Sequence, residues 1–185
     1  MFIDGVLDPT FLHQILRYDP ETGKLFWLTR SSDLFDDRGQ MQESNAARWN
    51  SRWAGTEAFT ALRAGYRRGL IFRKIYTAHR VIWAMQTGDW PKVLVDHMDN
   101  DRGNNRWVNL RQATHSQNQC NKRMLLANTS GFKGVSLHKQ NGKWQATISL
   151  HGKQRHLGYF DSPELAEHRV NAERRSLHTE FGRVA

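Results

Sequence analysis

From Lys143 to Leu150 the chain alternates without a break: Trp144, Ala146, Ile148 and Leu150 are apolar, and Gln145, Thr147 and Ser149 between them are polar. A period of two belongs to a strand with one packed face and one wet face. Asn141-Gly142 just before it is a strong two-residue hairpin signal, so an antiparallel partner is expected over Lys133 to Lys139. A third strand, Lys153 to Phe160, is predicted after a turn at His151-Gly152. Ser162-Pro163 then supplies an N-cap and an N1 proline for a helix to about His178, with Ala166, Val170 and Leu177 on its inner side. Residues 131–185 are thus expected to form a three-stranded antiparallel sheet packed on one helix.

The remaining chain completes an α+β protein. Residues 1–92 are expected to form a small mixed α/β lead-in region. It starts with an amphipathic helix from Leu7 to Leu16 and a turn at Asp19-Pro20-Glu21-Thr22-Gly23 into a strand from Lys24 to Thr29. Residues 31 to 52 are polar and weakly patterned and are expected as loop. Two β-rich runs follow, Gly65 to Phe72 and Lys74 to Ala78, then a helix from about Thr77 to Thr87 closed by Gly88 and Pro91. Residues 93–126 read as a ββα motif: a strand from Val93 to His97, a loop, a short strand from Asn109 to Arg111, and a helix opened by the capping box Thr114-His115-Ser116-Gln117. Residues 127–130 look like a linker.

Charge points to the partner. The chain has 185 residues and a net charge of +9. Residues 1–60 carry 6 Lys and Arg against 9 Asp and Glu, and residues 61–185 carry 21 against 9, so the positive charge lies in the later two-thirds. Such a distribution fits a polyphosphate. Cys120 is the only cysteine, which excludes an intrachain disulfide and a cysteine-rich zinc site and fits a reducing cytoplasm. No apolar run approaches the roughly 20 residues of a membrane span, and the acidic N-terminus does not resemble a secretion signal.

The chemistry lies in residues 94 to 118. Asp96-His97 ends a short apolar strand, an Asn-rich loop follows, and Asn118 comes 21 residues after the histidine. A carboxylate and an amide oxygen suit a hard cation, and an imidazole can take a proton from water, as a one-metal phosphodiesterase requires. Asp99 and Asp101 are possible extra ligands, better read as a hydrated acidic turn. His79 is expected to pack or contact phosphate, and Cys120 to be a small half-buried side chain.

Val95-Asp96-His97-Met98-Asp99, Asn104-Asn105-Arg106, Asn109-Leu110-Arg111 and Asn118 resemble the phage and intron-encoded branch of the HNH homing endonucleases, whose ββα-metal motif cleaves DNA. The resemblance implies that Asp96 and Asn118 hold one divalent cation, Mg²⁺ or Mn²⁺, that His97 is the general base, and that Asn109 positions the loop. Arg106 and Arg111 would contact DNA. The third signature position, often His, is Asn118 here.

Residues 131–185 resemble the Apetala-two, or ethylene-response-factor, type of DNA-binding domain. The matching residues are Ser130-Gly131-Phe132-Lys133-Gly134-Val135, Lys143-Trp144-Gln145-Ala146-Thr147-Ile148, Leu157-Gly158-Tyr159-Phe160-Asp161 and Pro163-Glu164-Leu165-Ala166. In that family the sheet enters the major groove. The implied DNA-contacting residues are Lys133, Ser136, His138, Lys143, Thr147, Ser149, Gln154 and His156. Several are Arg or Trp in the plant domains, so phosphate contact and shape recognition are expected over base readout. The expected partner is double-stranded DNA, nicked on one strand by a monomer. The alternatives are a non-catalytic DNA-binding regulator on the same scaffold and an RNA-directed module.

Overall fold

The computed structural model describes residues 2–3, 5–35, 41–115, 117–118, 128–150 and 153–177. Cys120, Ala127, the turn at His151-Gly152 and the end of the last helix at His178 lie outside them, as do the side chains of Leu150 and Leu177. The chain divides into two compact units, Met1–Gln112 and Ala113–Ala185.

In the first unit, β1 (Phe2–Ile3) and β2 (Val6–Leu7) pair antiparallel. Helix α1, Pro9–Ile15, is shorter than its pattern suggested. Asp8 caps it by accepting from the Thr10 amide at 2.9 Å, and proline at N1 loses no helical bond. The chain extends again at once in β3 (Leu16–Asp19), which pairs with β4 (Lys24–Trp27); β5 (Glu57–Ala58) adds to the far edge of β4. Phe11, Leu12, Ile15, Leu16 and Leu25 share one core with Ile71, Val81, Ile82, Val95 and Leu110.

Residues 31 to 52, expected as loop, contain a 3₁₀ turn at Ser32–Leu34 and most of a twelve-residue helix, α2 (Gln42–Trp53). Its apolar stripe is thin, and tertiary contacts hold it. Trp49 meets Trp27 edge-on at 5.7 Å. The Asn50 amide both accepts from the Arg30 backbone N–H and donates to the Arg30 carbonyl, each at 2.9 Å.

A second sheet has the order β6 (Ala61–Arg63), β7 (Tyr66–Ile71), β8 (Lys74–Thr77). Phe72 and Arg73, both at positive φ, make the tight turn between β7 and β8. Helix α3, Ala78–Thr87, ends as predicted at Gly88, whose φ of 78° is left-handed. It buries Val81, Ile82 and Ala84, the face toward the core. Strand β9 (Leu94–His97) pairs with β10 (Leu110–Ala113); Val95 and Leu110 tie the pair into the core, whereas Val93 and Leu94 are exposed.

The second unit holds β11 (Val135–His138), β12 (Lys143–Leu150) and β13 (Lys153–Phe160) in an antiparallel sheet against α4 (Pro163–Leu177). Val135, Ala146, Ala166 and Val170 form its core, lined by Phe132, Trp144, Leu157 and Phe160. His138 pairs with Lys143, so the hairpin connection is four residues long rather than two; Gly142 closes it by donating to the His138 carbonyl at 3.0 Å. Asn128 to Ser130, expected as linker, are folded onto this unit. Asn128 donates to the Phe132 carbonyl at 2.8 Å, and the Ser130 hydroxyl donates to the Val135 carbonyl at 2.7 Å.

Candidate active site

Asp96 and His97 end β9, one residue beyond the core anchor Val95, and both are buried, at 6% and 4% exposure. The return passes through a 3₁₀ turn, Trp107–Asn109, which Trp107 holds against Trp83 of α3 at 5.0 Å between rings. The Met98 amide donates to the Asn109 carbonyl at 2.9 Å, closing the loop between the two strands.

The loop is organised around Asn109. Its amide oxygen accepts from the Asp99 backbone N–H at 3.1 Å. Its nitrogen donates to Asp99 Oδ1 at 2.9 Å and to the Asn104 carbonyl at 2.8 Å. Asp99 also accepts from Asn104 at 2.6 Å and from the Asp101 amide at 2.8 Å. Burial pushes the Asp99 carboxyl up, but these hydrogen bonds and the neighbouring His97 outweigh it and hold the group below the usual carboxylate range. Asp99 thus organises the loop, and Asp101 Oδ1 accepts from the Gly103 amide at 2.9 Å as an acidic turn residue does.

His97 is oriented by Asn105, which is fully buried. Asn105 Nδ2 donates to the Gly103 carbonyl at 3.2 Å, so Oδ1 faces His97 Nε2 at 3.0 Å. An amide oxygen only accepts; Nε2 therefore carries the proton, and Nδ1 bears the basic lone pair. Asn105 is held in turn from the N-terminal hairpin. The Tyr18 hydroxyl donates to its carbonyl at 3.0 Å, and Gly23, at φ 72°, approaches so closely that a Cβ would lie 2.6 Å from the Asn105 carbonyl carbon and 2.5 Å from the Arg106 nitrogen. The motif contains Asn105 but gives it no role, and nothing in the pattern of residues 94 to 118 announces Tyr18 or Gly23.

The other wall is aromatic. The His79 ring stands edge-on to His97 at 5.2 Å, and Tyr66 lies 5.1 Å from His79 and 6.0 Å from His97. Burial first, then the positive charges available at His97 and Arg80, pull the His79 imidazole down to about 3, so it packs as a neutral ring. Arg102 lies over Tyr66 at 4.9 Å and donates to the Ala64 carbonyl at 2.9 Å.

Asp96 meets a guanidinium. Arg111 Nε and Nη2 each reach Asp96 Oδ2 at 3.1 Å, so Arg111, read as a DNA contact, is engaged with the carboxylate. Arg106 is exposed. Among the described residues no group of three or more His, Cys, Asp or Glu is arranged to hold a metal ion. Asp96 is the carboxylate adjoining His97 at the end of β9, whereas Asp99 and Asp101 bond within the loop; one carboxylate with water and phosphate oxygens suits a hard cation that keeps part of its hydration shell. Asn118 belongs to the second unit, where its backbone N–H donates to the Thr114 carbonyl at 3.0 Å. The capping box before it has formed: Thr114 N–H donates to Gln117 Oε1 at 2.8 Å, and Gln117 N–H to Thr114 Oγ1 at 3.3 Å.

In the C-terminal sheet the register puts Ser136, His138, Lys143, Thr147, Ser149, Gln154 and His156 on the face away from Val135 and Ala146. Gln145, expected on the wet face but not as a contact, and Tyr159 share that face. Tyr159 lies between two histidines, 5.0 Å from His138 and 4.6 Å from His156, and Gln145 hydrogen-bonds His156 at 3.2 Å. Lys143 pairs with Asp161 at 3.1 Å. The carbonyl of Lys133 accepts from the buried Arg174 at 3.2 Å.

Residues 76–120, the stretch from β8 through the buried Asp, His and Asn cluster, match the HNH endonuclease family. Over 113 residues the chain is 34% identical to Protein 3.8 of Escherichia phage T7, a span of 60% of this chain and 93% of that protein. The chain belongs to the same family as that phage protein, with an HNH endonuclease domain in residues 76–120. No solved structure gives a significant match. No described helix is long and apolar enough to cross a membrane.

Proposed function

We propose that the protein is a metal-dependent DNA endonuclease of the homing or mobile-element type that hydrolyses one strand per monomer. The observation that carries this reading is His97, buried within an HNH segment and held by Asn105 so that Nδ1 is the basic nitrogen. In that tautomer His97 takes the proton of the attacking water at Nδ1. Asn109 keeps the loop closed and Asn105 keeps the ring from turning; both are positioning residues. On the sequence reading Asp96 and Asn118 are the protein ligands of one Mg²⁺ or Mn²⁺. The ion would stabilise charge on the phosphate and the leaving oxygen. Arg111 orients the Asp96 carboxylate.

The outward face of the C-terminal sheet binds duplex DNA in this reading, with His138, Thr147, Gln154 and His156 beside Tyr159. Its support is the topology, a three-stranded sheet braced by one helix, together with the motifs that resemble Apetala-two domains. The similarity to a phage protein supports placement on a phage or other mobile element, acting in the host cytoplasm.

Supercoiled plasmid carrying candidate target sequence tests the proposal. Nicked circles should appear with Mg²⁺ or Mn²⁺, vanish in EDTA and return when the metal is restored. Undiminished nicking in EDTA would contradict it, and intact plasmid under every metal condition would favour the regulator.

A further inference from the structure

The first unit contains a cavity of about 510 Å³ that the cleavage reading leaves unused. That lies within the range of small-molecule sites, roughly 300–1,000 Å³. Trp27, Trp49, Trp53 and Phe59 line it together with Arg30 and Arg68. The Arg30 guanidinium lies 4.0 Å over the Trp49 ring and 4.9 Å over Trp27. Nε of Arg30 and Nε of Arg68 are both buried and, among the described residues, donate to no acceptor. Buried donors are rarely left so, and the two arginines that carry them both bring a cationic side chain to the wall of this cavity.

Charge and shape narrow the ligand. Among the described residues the one carboxylate in the lining, Glu57, is already bridged by Lys24 and Arg67, each at 2.8 Å, and so leaves Arg30 and Arg68 without a carboxylate partner. Burial lowers Arg30 to about 10, which still leaves it cationic at neutral pH. The backbone is distorted to make the wall. Phe59 has φ 59°, a conformation that bulky residues rarely adopt, and its ring lies where a Cβ on Gly69 would come within 2.9 Å of it. A simple anion would leave the tryptophans in contact with water, and an apolar ligand would leave the guanidinium donors unmet. A flat aromatic group joined to an anion satisfies both.

We propose that this cavity binds one nucleotide, its base against the tryptophans and its phosphate on Arg30 and Arg68. The nucleotide is either one unit of a nucleic-acid strand or a free mononucleotide; only the strand version rests on the endonuclease reading. Base stacking on aromatic rings beside a cationic groove is the usual way that single-stranded nucleic acid is held.

Photocrosslinking on the full chain tests this. A single-stranded oligothymidylate carrying one 5-iodouracil, and separately 5-iodo-dUMP, would be irradiated with the protein in EDTA and the crosslinked peptides mapped by mass spectrometry. Crosslinks at Trp49, Trp53 or Phe59 are expected. Arg68→Gln and Trp53→Ala should each lower the yield at the remaining cavity residues by roughly tenfold, with circular dichroism confirming that both variants fold. Crosslinking by the oligonucleotide alone identifies a strand-bound unit, and crosslinking by both probes identifies a general nucleotide site. Crosslinks confined to other parts of the chain, or cavity crosslinks indifferent to both substitutions, would overturn the proposal. Because crosslinking in EDTA requires no cleavage, an inactive catalytic loop would leave this result readable.

Discussion

The catalytic loop and the C-terminal sheet are both rich in Asn, Gln, Thr and His, yet they use these residues in opposite ways. In the loop Asp96, His97, Asn105 and Asn109 are buried and bonded to named partners. On the sheet Ser136, Ser149, Gln154 and His156 face outward and are exposed, and the half-buried Thr147 hydroxyl donates to the Gly134 carbonyl and accepts from Gln154, each at a long 3.3 Å. A buried polar group fixes its neighbours because leaving any of them unmatched is costly, whereas an exposed one can exchange its partner for water. Substitutions in the loop should therefore damage fold and chemistry together. Those on the sheet face should alter DNA preference and little else.

The largest effect expected within this contrast is at Asn109. Asn109→Ala removes bonds to the Asp99 amide, the Asp99 carboxylate and the Asn104 carbonyl, and should lower unfolding free energy by about 2–3 kcal/mol in urea titration, with cleavage falling more steeply than DNA binding. Gly23→Ala comes next, although it lies far from the loop in sequence. The left-handed backbone and the close approach to Asn105 and Arg106 predict a loss of about 1–2 kcal/mol and slower cleavage. Wild-type behaviour there would mean that the N-terminal hairpin does not brace the site.

His79 gives a pH signature to the buried region. Its imidazole protonates near about 3 in the folded protein against 6.5 unfolded. Between those values the unfolded chain binds the extra proton, so stability should fall as pH is lowered through this window, by at most about 1.4 kcal/mol per pH unit. Above pH 6.5 the residue contributes no slope. Thermal melts of His79→Gln from pH 7 to pH 4 should show a shallower decline than the wild type. The smallest effects belong to the sheet: Thr147→Ala and His156→Ala should change stability by no more than about 0.5 kcal/mol while shifting site preference in a competition binding assay. A large loss of stability from either would erase the distinction between the two regions.

Sequence legibility followed the same division. Alternation along Lys143 to Leu150 put Gln145, Thr147 and Ser149 on the outward face because a strand's faces depend only on parity, whereas Tyr159 reaches that face with the opposite parity to Gln154 and His156, through a register shift between β12 and β13 that the alternation does not show. In the loop the polar residue types were readable but their assignments were less so. Asn104 and Asn105 look alike in sequence, and only burial shows which one holds His97. Arg111 resembles a phosphate contact until the pairing of β9 and β10 brings it to Asp96. Tyr18 is 87 residues from the carbonyl it supports. Helix α2 was missed because its stability comes from Trp27 and the Arg30 backbone, not from its own composition.

The account turns on His97 as the base of a metal-dependent cut. Single-turnover nicking of supercoiled target plasmid in Mg²⁺, with DNA affinity measured in parallel, tests it most directly. His97→Ala should cut about 10²- to 10⁴-fold more slowly while binding DNA as the wild type does, and Asn105→Ala should fall between the two. Nicking by His97→Ala at the wild-type rate would contradict the account.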